Sequence, residues 1–106
     1  MGNPDIAAVG SNHYVYMYEI KEPVAGTSAS CPTASALIGA LNGALIDKGK
    51  KPLGFLNPLL YQNAHLFHDI TLGFTGWYAA EGWDPTTGLG TMSYPPFLNL
   101  VLSQDK

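Results

Sequence analysis

The stretch Gly26-Thr27-Ser28-Ala29-Ser30 is the first place in this sequence where a side chain could do covalent chemistry. A serine that attacks a carbonyl must be exposed at a fixed angle, with backbone amides aimed at the developing oxyanion. A glycine turn entering a helix supplies both, because the first amides are free and the helix dipole faces the site. Serine and threonine are also preferred helix caps, so Ser28 reads either as a nucleophile or as a capping residue beside Thr27 and Ser30. The pattern is not a G-x-S-x-G elbow, since Ser30 stands where the second glycine would be. A serine also needs a base. His13 lies in a strand-like stretch shortly before Ser28, and His65 and His68 flank apolar Leu66 and Phe67. All three read as structural, and the i, i+3 pair finds no third metal ligand beyond Asp69.

Asp69-Ile70 and Gly82-Trp83-Asp84 form the second constellation. Two carboxylates at opposite ends of a glycine-containing loop can wrap a hard cation, with backbone carbonyls completing the shell. The spacing is not that of an EF-hand. The plainer alternative makes Asp84-Pro85 a turn initiator and Asp69 a cap. Gly88-Leu89-Gly90 could in principle cradle a phosphate, but no lysine-serine pair follows it, and a backbone turn is expected.

The elements that must position these residues are those of one domain of 106 residues, 46% hydrophobic, with net charge −3. There is no arginine, and Lys48, Lys50 and Lys51 are the one basic cluster, so no nucleic-acid partner is expected. Cys31 is the single cysteine, which rules out an internal disulfide. The apolar stretch from Ala34 to Ile46 is shorter than the roughly 20 residues a bilayer needs, so no membrane partner is expected either.

Residues 13–20, HYVYMYEI, predict a strand, 21–23 a turn, and Val24-Ala25 a short second strand. A helix is predicted over about 32–48, with Pro32 in its first turn and Gly49 as its stop. Its stripes of Leu37, Leu41 and Leu45 and of Ala36, Ala40 and Gly43 leave little polar surface, as in a helix buried on all sides. A chain this short has little material to surround such a helix, so it reads as part of something larger. Asn57 and Pro58 predict a second helix start as cap and first residue, residues 69–91 a glycine-rich loop, and Pro95-Pro96 a final helix.

Taken together, these residues resemble the C-terminal part of a sedolisin, the serine–carboxyl peptidase family. PDIAAVG (4–10) resembles a Pro-Asp-Val-x-Ala segment, and GTSASCP (26–32) the nucleophile motif Gly-Thr-Ser-Ala-Ser-x-Pro. GFLNPLLYQ (54–62) is similar to a Leu-Asn-Pro-x-Leu-Tyr helix, and HDIT (68–71) with GWDPTTGLGT (82–91) to a calcium loop. Gly-Thr-Ser alone is shared with subtilisins; all four motifs in this order are specific.

The resemblance implies an α/β fold, the C-terminal portion of a subtilisin-like parallel-sheet sandwich, with residues 1–106 one segment of the catalytic domain. It places Ser28 on the nucleophile. It places Asp69 and Asp84 on calcium carboxylates, with the carbonyls of Ile70, Ala80 and Gly82 as further ligands of one Ca2+. The family often has glycine where Ala80 stands, and alanine suffices unless the position needs a positive φ. In sedolisins a glutamate replaces the histidine base, an aspartate orients it, and a second aspartate completes the oxyanion hole, all upstream; Asp5, Glu19 and Glu22 match none of them. A carboxylic base suits acidic pH, where histidine is charged. The implied activity is hydrolysis of peptide or protein substrates in a secreted, lysosomal or vacuolar setting, with the rest of the catalytic domain as partner and the chain alone inactive. The competing expectation is a non-catalytic calcium-binding segment that acts only with a partner chain.

Overall fold

The computed structural model describes residues 3–103. In chain order it has β1 (His13–Met17), β2 (Ile20–Val24), α1 (Thr27–Asp47) and α2 (Asn57–Gln62). A 3-10 turn at Ala64–Leu66 then leads to β3 (Phe67–His68), β4 (Thr91–Met92) and α3 (Tyr94–Ser103). The chain is therefore mixed α/β, as expected. Its strands form two separate antiparallel pairs, β1 with β2 and β3 with β4. The one parallel pairing among the described residues is an isolated bridge between Ala7 and Thr91. A parallel sheet needs several strands joined by crossovers, and these residues do not assemble one by themselves.

The hairpin corrects the predicted strand-turn-strand. Tyr18 and Glu19 both have positive φ, 51° and 66°, and make the two-residue turn, while Lys21, Glu22 and Pro23 lie inside β2. Neither turn residue is the glycine or asparagine that usually marks such a turn. Pro23 is tolerated because β2 pairs on one side only, with Pro23 opposite Tyr14.

Helix α1 begins well before the start that Pro32 suggests. Gly26, at φ 137° and ψ 166°, is the residue before the first turn, and its carbonyl accepts the amides of Ala29 at 2.9 Å and Ser30 at 3.3 Å. Pro32 sits inside the helix, where it cannot donate to the Ser28 carbonyl one turn back. By length and composition alone α1 could cross a membrane, a reading that the shorter run 34–46 had hidden. Its C-terminal half is instead seated on the core. Leu41 and Leu45 are buried, and the Asn42 carboxamide accepts the Leu53 amide at 2.8 Å. Lys50 Nζ donates to the Leu102 carbonyl at 2.7 Å, tying the end of α1 to α3.

The core is Leu41, Leu45, Leu60, Phe67, Leu89, Phe97 and Val101, drawn from every α-helix, from β3 and from the 84–92 loop. Phe67 and Phe97 meet edge to face at 5.2 Å, a geometry worth about 0.5–1.5 kcal/mol beyond area burial. This cluster fixes α1 relative to the loop that carries Asp84.

Candidate functional site

The turn before α1 is held from outside by the Gly26 amide, which donates to the Gly10 carbonyl at 2.6 Å. No side chain caps the helix. That removes the capping alternative for Thr27, Ser28 and Ser30. Ser28 is the second residue of the helix, exposed, in a first turn whose amides have no side-chain acceptor. The Ala29 and Ser30 amides donate to the Gly26 carbonyl, so the helix dipole and the amides of Thr27 and Ser28 are what favour negative charge here. Beside it lies a cavity of about 520 Å³ lined by Ile6, Ala7, Thr27, Ser30, Cys31 and Ile38, among others.

Among the described residues, no imidazole or carboxylate is hydrogen-bonded to Ser28. His13 Nε2 lies 2.8 Å from the Val9 carbonyl, and His65 and His68 sit on the exposed side of the 3-10 turn and β3. None of the three is hydrogen-bonded to Ser28. Asp5 is engaged elsewhere: it accepts the Tyr61 hydroxyl at 2.9 Å and the Asn57 carboxamide at 3.3 Å. Asn57 therefore spends its side chain on Asp5. The residue before α2 is Leu56, and no side chain caps that helix, which corrects the expected Asn57 cap.

The two aspartates of the 69–84 loop meet at one short turn. Gly82 N–H donates to Asp69 Oδ2 at 2.7 Å, and Ala80 N–H donates to Asp84 Oδ2 at 3.3 Å. Asp84 is 1% exposed and also accepts the amides of Thr86 at 3.1 Å and Thr87 at 2.8 Å, with the Thr87 hydroxyl shared between its oxygens. Burial pushes the Asp84 carboxyl up, but the amides of Thr87, Ala80 and Thr86 and the Thr87 hydroxyl outweigh it and hold it below the ordinary carboxylate value.

Asp69 differs. Its Oδ1 is buried with no hydrogen-bond partner, the one such side-chain atom among the described residues. A buried carboxylate oxygen left unpaired is costly, and it is the kind of atom a cation satisfies. No cluster of three His, Cys, Asp or Glu side chains exists among the described residues. A cation here would need main-chain carbonyls beside the carboxylates, oxygen donors of the kind a hard cation takes. Ala80 has a negative φ, so alanine is compatible with the place where glycine is common, while Gly82 sits at φ 81°.

Several contributors were not read from the sequence. Trp83 Nε1 donates to the Pro4 carbonyl at 2.9 Å, the Leu89 amide to the Asp5 carbonyl at 2.8 Å, and the Ala7 amide to the Gly90 carbonyl at 2.8 Å. These contacts span most of the chain length, and local pattern carries no trace of them. The motif boundaries PD, LNPxLY and GWDP were the available signal.

No family-wide sequence profile matches the chain. It is 40% identical over 94% of its length to tripeptidyl-peptidase sed1 of Aspergillus fumigatus, and 42% identical over 95% to aorsin of Aspergillus oryzae. It is 39% identical over 94% of its length to human tripeptidyl-peptidase 1. The chain spans 16% of the first two relatives and 20% of the third. The aligned part is C-terminal in those proteins. With 39–42% identity over 94–95% of its length to these proteins, the chain belongs to the sedolisin family of peptidases, as a counterpart of their C-terminal segment.

Proposed function

We propose that this chain supplies the nucleophile and a calcium loop to a serine–carboxyl peptidase that hydrolyses peptide bonds at acidic pH. The observation that carries the reading is the uncapped, exposed Ser28 in the first turn of α1, with no histidine hydrogen-bonded to it. Ser28 Oγ attacks the scissile carbonyl carbon, and its proton passes to a carboxylate base contributed by the remainder of the catalytic domain. Negative charge developing on the carbonyl oxygen is stabilised by fixed dipoles, to which the first-turn amides of α1 contribute. An unactivated serine hydroxyl is a weak nucleophile, so this chain alone is inactive. The remainder of the domain would add the strands that build a subtilisin-like parallel sheet around the open face of α1. An acidic compartment, secreted or lysosomal, suits a carboxylic base.

The loop residues fit calcium through the orphaned Asp69 Oδ1. Asp69 and Asp84, with the carbonyls of Ile70, Ala80 and Gly82, would hold one ion. Calcium bound there would close the 69–84 loop and take no part in bond cleavage. A second reading, a calcium-binding segment without catalysis, is favoured by the absence of any base hydrogen-bonded to Ser28 among the described residues. Active-site labelling with a peptide aldehyde at acidic pH separates the two. Labelling of Ser28 in a polypeptide that includes the upstream acids, lost in Ser28→Ala, supports the peptidase. Calcium binding with no labelling in that polypeptide supports the alternative.

A further inference from the structure

Asp5 is exposed, yet it stands where four parts of the chain meet. Its two carboxylate oxygens take the Tyr61 hydroxyl at 2.9 Å and the Asn57 carboxamide at 3.3 Å, both from α2. Its carbonyl takes the Leu89 amide at 2.8 Å, and the carbonyl before it takes Trp83 Nε1 at 2.9 Å. A side chain on Gly88 would run into the Asp5 and Pro4 carbonyls, so the loop lies directly against this residue. Two positions on, Ala7 is bonded to Gly90 and bridged to Thr91. The strap ends at Gly10, whose carbonyl holds the Gly26 amide at 2.6 Å, and a side chain on Gly10 would meet Ser30 Oγ and the Gly26 carbonyl. Between these ends Ile6, Ala7 and Ala8 form one wall of the cavity whose other wall is Thr27, Ser30 and Cys31.

The strap from Asp5 to Gly10 is short, with a reach of roughly 16 Å if extended. With both ends bonded, it cannot shift at Asp5 without loading the bond at Gly26. We infer that Asp5 is a positioning residue: it registers the Pro4–Gly10 strap against α2 and the 83–90 loop, and through Gly10 sets the turn that presents Ser28. The inference rests on Ser28 being the nucleophile only for its consequence; the coupling from Asp5 to Gly26 stands on the bonds themselves. It also places Asp5 outside the acid–base chemistry, since both of its oxygens are already engaged.

The test is amide hydrogen exchange on the full chain, which needs neither peptidase activity nor calcium. Asp5→Ala should raise exchange at Leu89, Ala7 and Gly26 together, each by roughly three- to tenfold, the equilibrium worth of one hydrogen bond. Phe97 and Val101, buried in α3, should keep their protection. Asp5→Asn should restore Gly26 toward the unmodified value, because a carboxamide oxygen still accepts the Tyr61 hydroxyl. It should also bring the Tyr61 phenol down toward its ordinary pKa, since part of its upward shift comes from the Asp5 charge behind the larger effect of burial. If Asp5→Ala costs the whole fold, Tyr61→Phe gives the decision by removing one donor and nothing else. Joint release of Leu89 and Gly26 in that variant supports the coupling. Release of Leu89 with Gly26 unchanged overturns it, and so does a Gly26 amide with no protection in the unmodified chain.

Discussion

Asp69 and Asp84 take amides from the same short turn, Asp69 from Gly82 at 2.7 Å and Asp84 from Ala80 at 3.3 Å. The likeness ends at their remaining oxygens. Asp84 also accepts from Thr86 and Thr87, while Asp69 Oδ1 is buried without a partner. Asp84 thus ties the turn together through several donors, and Asp69 leaves one oxygen open.

That difference predicts how a cation would act. Calcium should raise the thermal midpoint of the chain, by an amount equivalent to about 2.7 kcal/mol at a hundredfold excess over Kd. Asp69→Asn should remove most of this shift and leave the stability without calcium little changed, because the carboxamide oxygen can still accept the Gly82 amide while the charge is removed. Asp84→Ala should lower stability with and without calcium, since it strips the acceptors from the Ala80, Thr86 and Thr87 amides. Calorimetry with no calcium heat on a folded chain would exclude the site.

The pH dependence follows from Asp84. Its carboxyl lies below the ordinary 3.8 in the folded chain, so the unfolded state binds the proton more readily. The stability it confers is fully present above the unfolded value and is lost as pH falls through the folded one. Acid unfolding of the unmodified chain should therefore carry a component that begins below about 3.8 and disappears in Asp84→Asn. An identical acid limb in that variant would show the carboxylate to be energetically idle.

Ser28→Ala should leave folding nearly untouched, within about 0.5 kcal/mol, because the hydroxyl makes no cap. In a polypeptide carrying the upstream acids it should abolish peptide hydrolysis. Circular dichroism melts and turnover at acidic pH check the two halves separately, and residual turnover near the unmodified level would remove Ser28 from the nucleophile role.

How much of this was legible in the sequence depends on the range of the interaction. The helix over 32–48 announced itself through composition, and α1 ends at Asp47 as Gly49 indicated. Its start was hidden because Pro32 imitates a first-turn proline. The true start rests on Gly26 and on its bond to Gly10, on the far side of the hairpin. The hairpin turn was missed because Tyr18 and Glu19 adopt positive φ without glycine or asparagine to signal it. Ser28, Asp69 and Asp84 stood out by motif, and their roles remain proposals. The hub at Asp5 was not, since Asn57, Tyr61 and Leu89 all lie in the second half of the chain and nothing in a local window links them to it.

Gly88→Ala and Gly90→Ala test whether the glycine run is a backbone device. Both glycines have positive φ, 62° and 103°, and an added methyl would strike the Asp5 carbonyl in one case and the His68 carbonyl in the other. Strained backbone alone costs about 1–3 kcal/mol, before the collision is relieved. Either variant should lower the thermal midpoint more than Gly43→Ala, where α1 has open space and alanine is the better helix former. Equal midpoints would mean that the 84–90 loop does not pack against the strap.

The last prediction concerns association. Only Leu41 and Leu45 of α1 are buried, and Ile46 remains exposed at the same end. The hairpin exposes Tyr14, Tyr16, Met17 and Ile20, with Tyr18 95% exposed at its tip, and both of its outer edges are unpaired among the described residues. The 72–78 loop adds Leu72, Phe74, Trp77 and Tyr78. Fully burying one such side chain is worth roughly 1.5–3 kcal/mol, so covering a few of them rivals the roughly 5–15 kcal/mol net stability of an ordinary domain. Large exposed apolar surface and free strand edges both favour a partner, another copy of the chain where none else is present. The isolated chain should therefore sediment as a concentration-dependent oligomer and bind an apolar dye. Replacing Tyr16 and Ile20 with lysine should lower its apparent mass without lowering its thermal midpoint. A monomer with a sharp cooperative melt would mean that the core around Leu41 and Phe97 is sufficient on its own and that the open face of α1 carries little energetic cost.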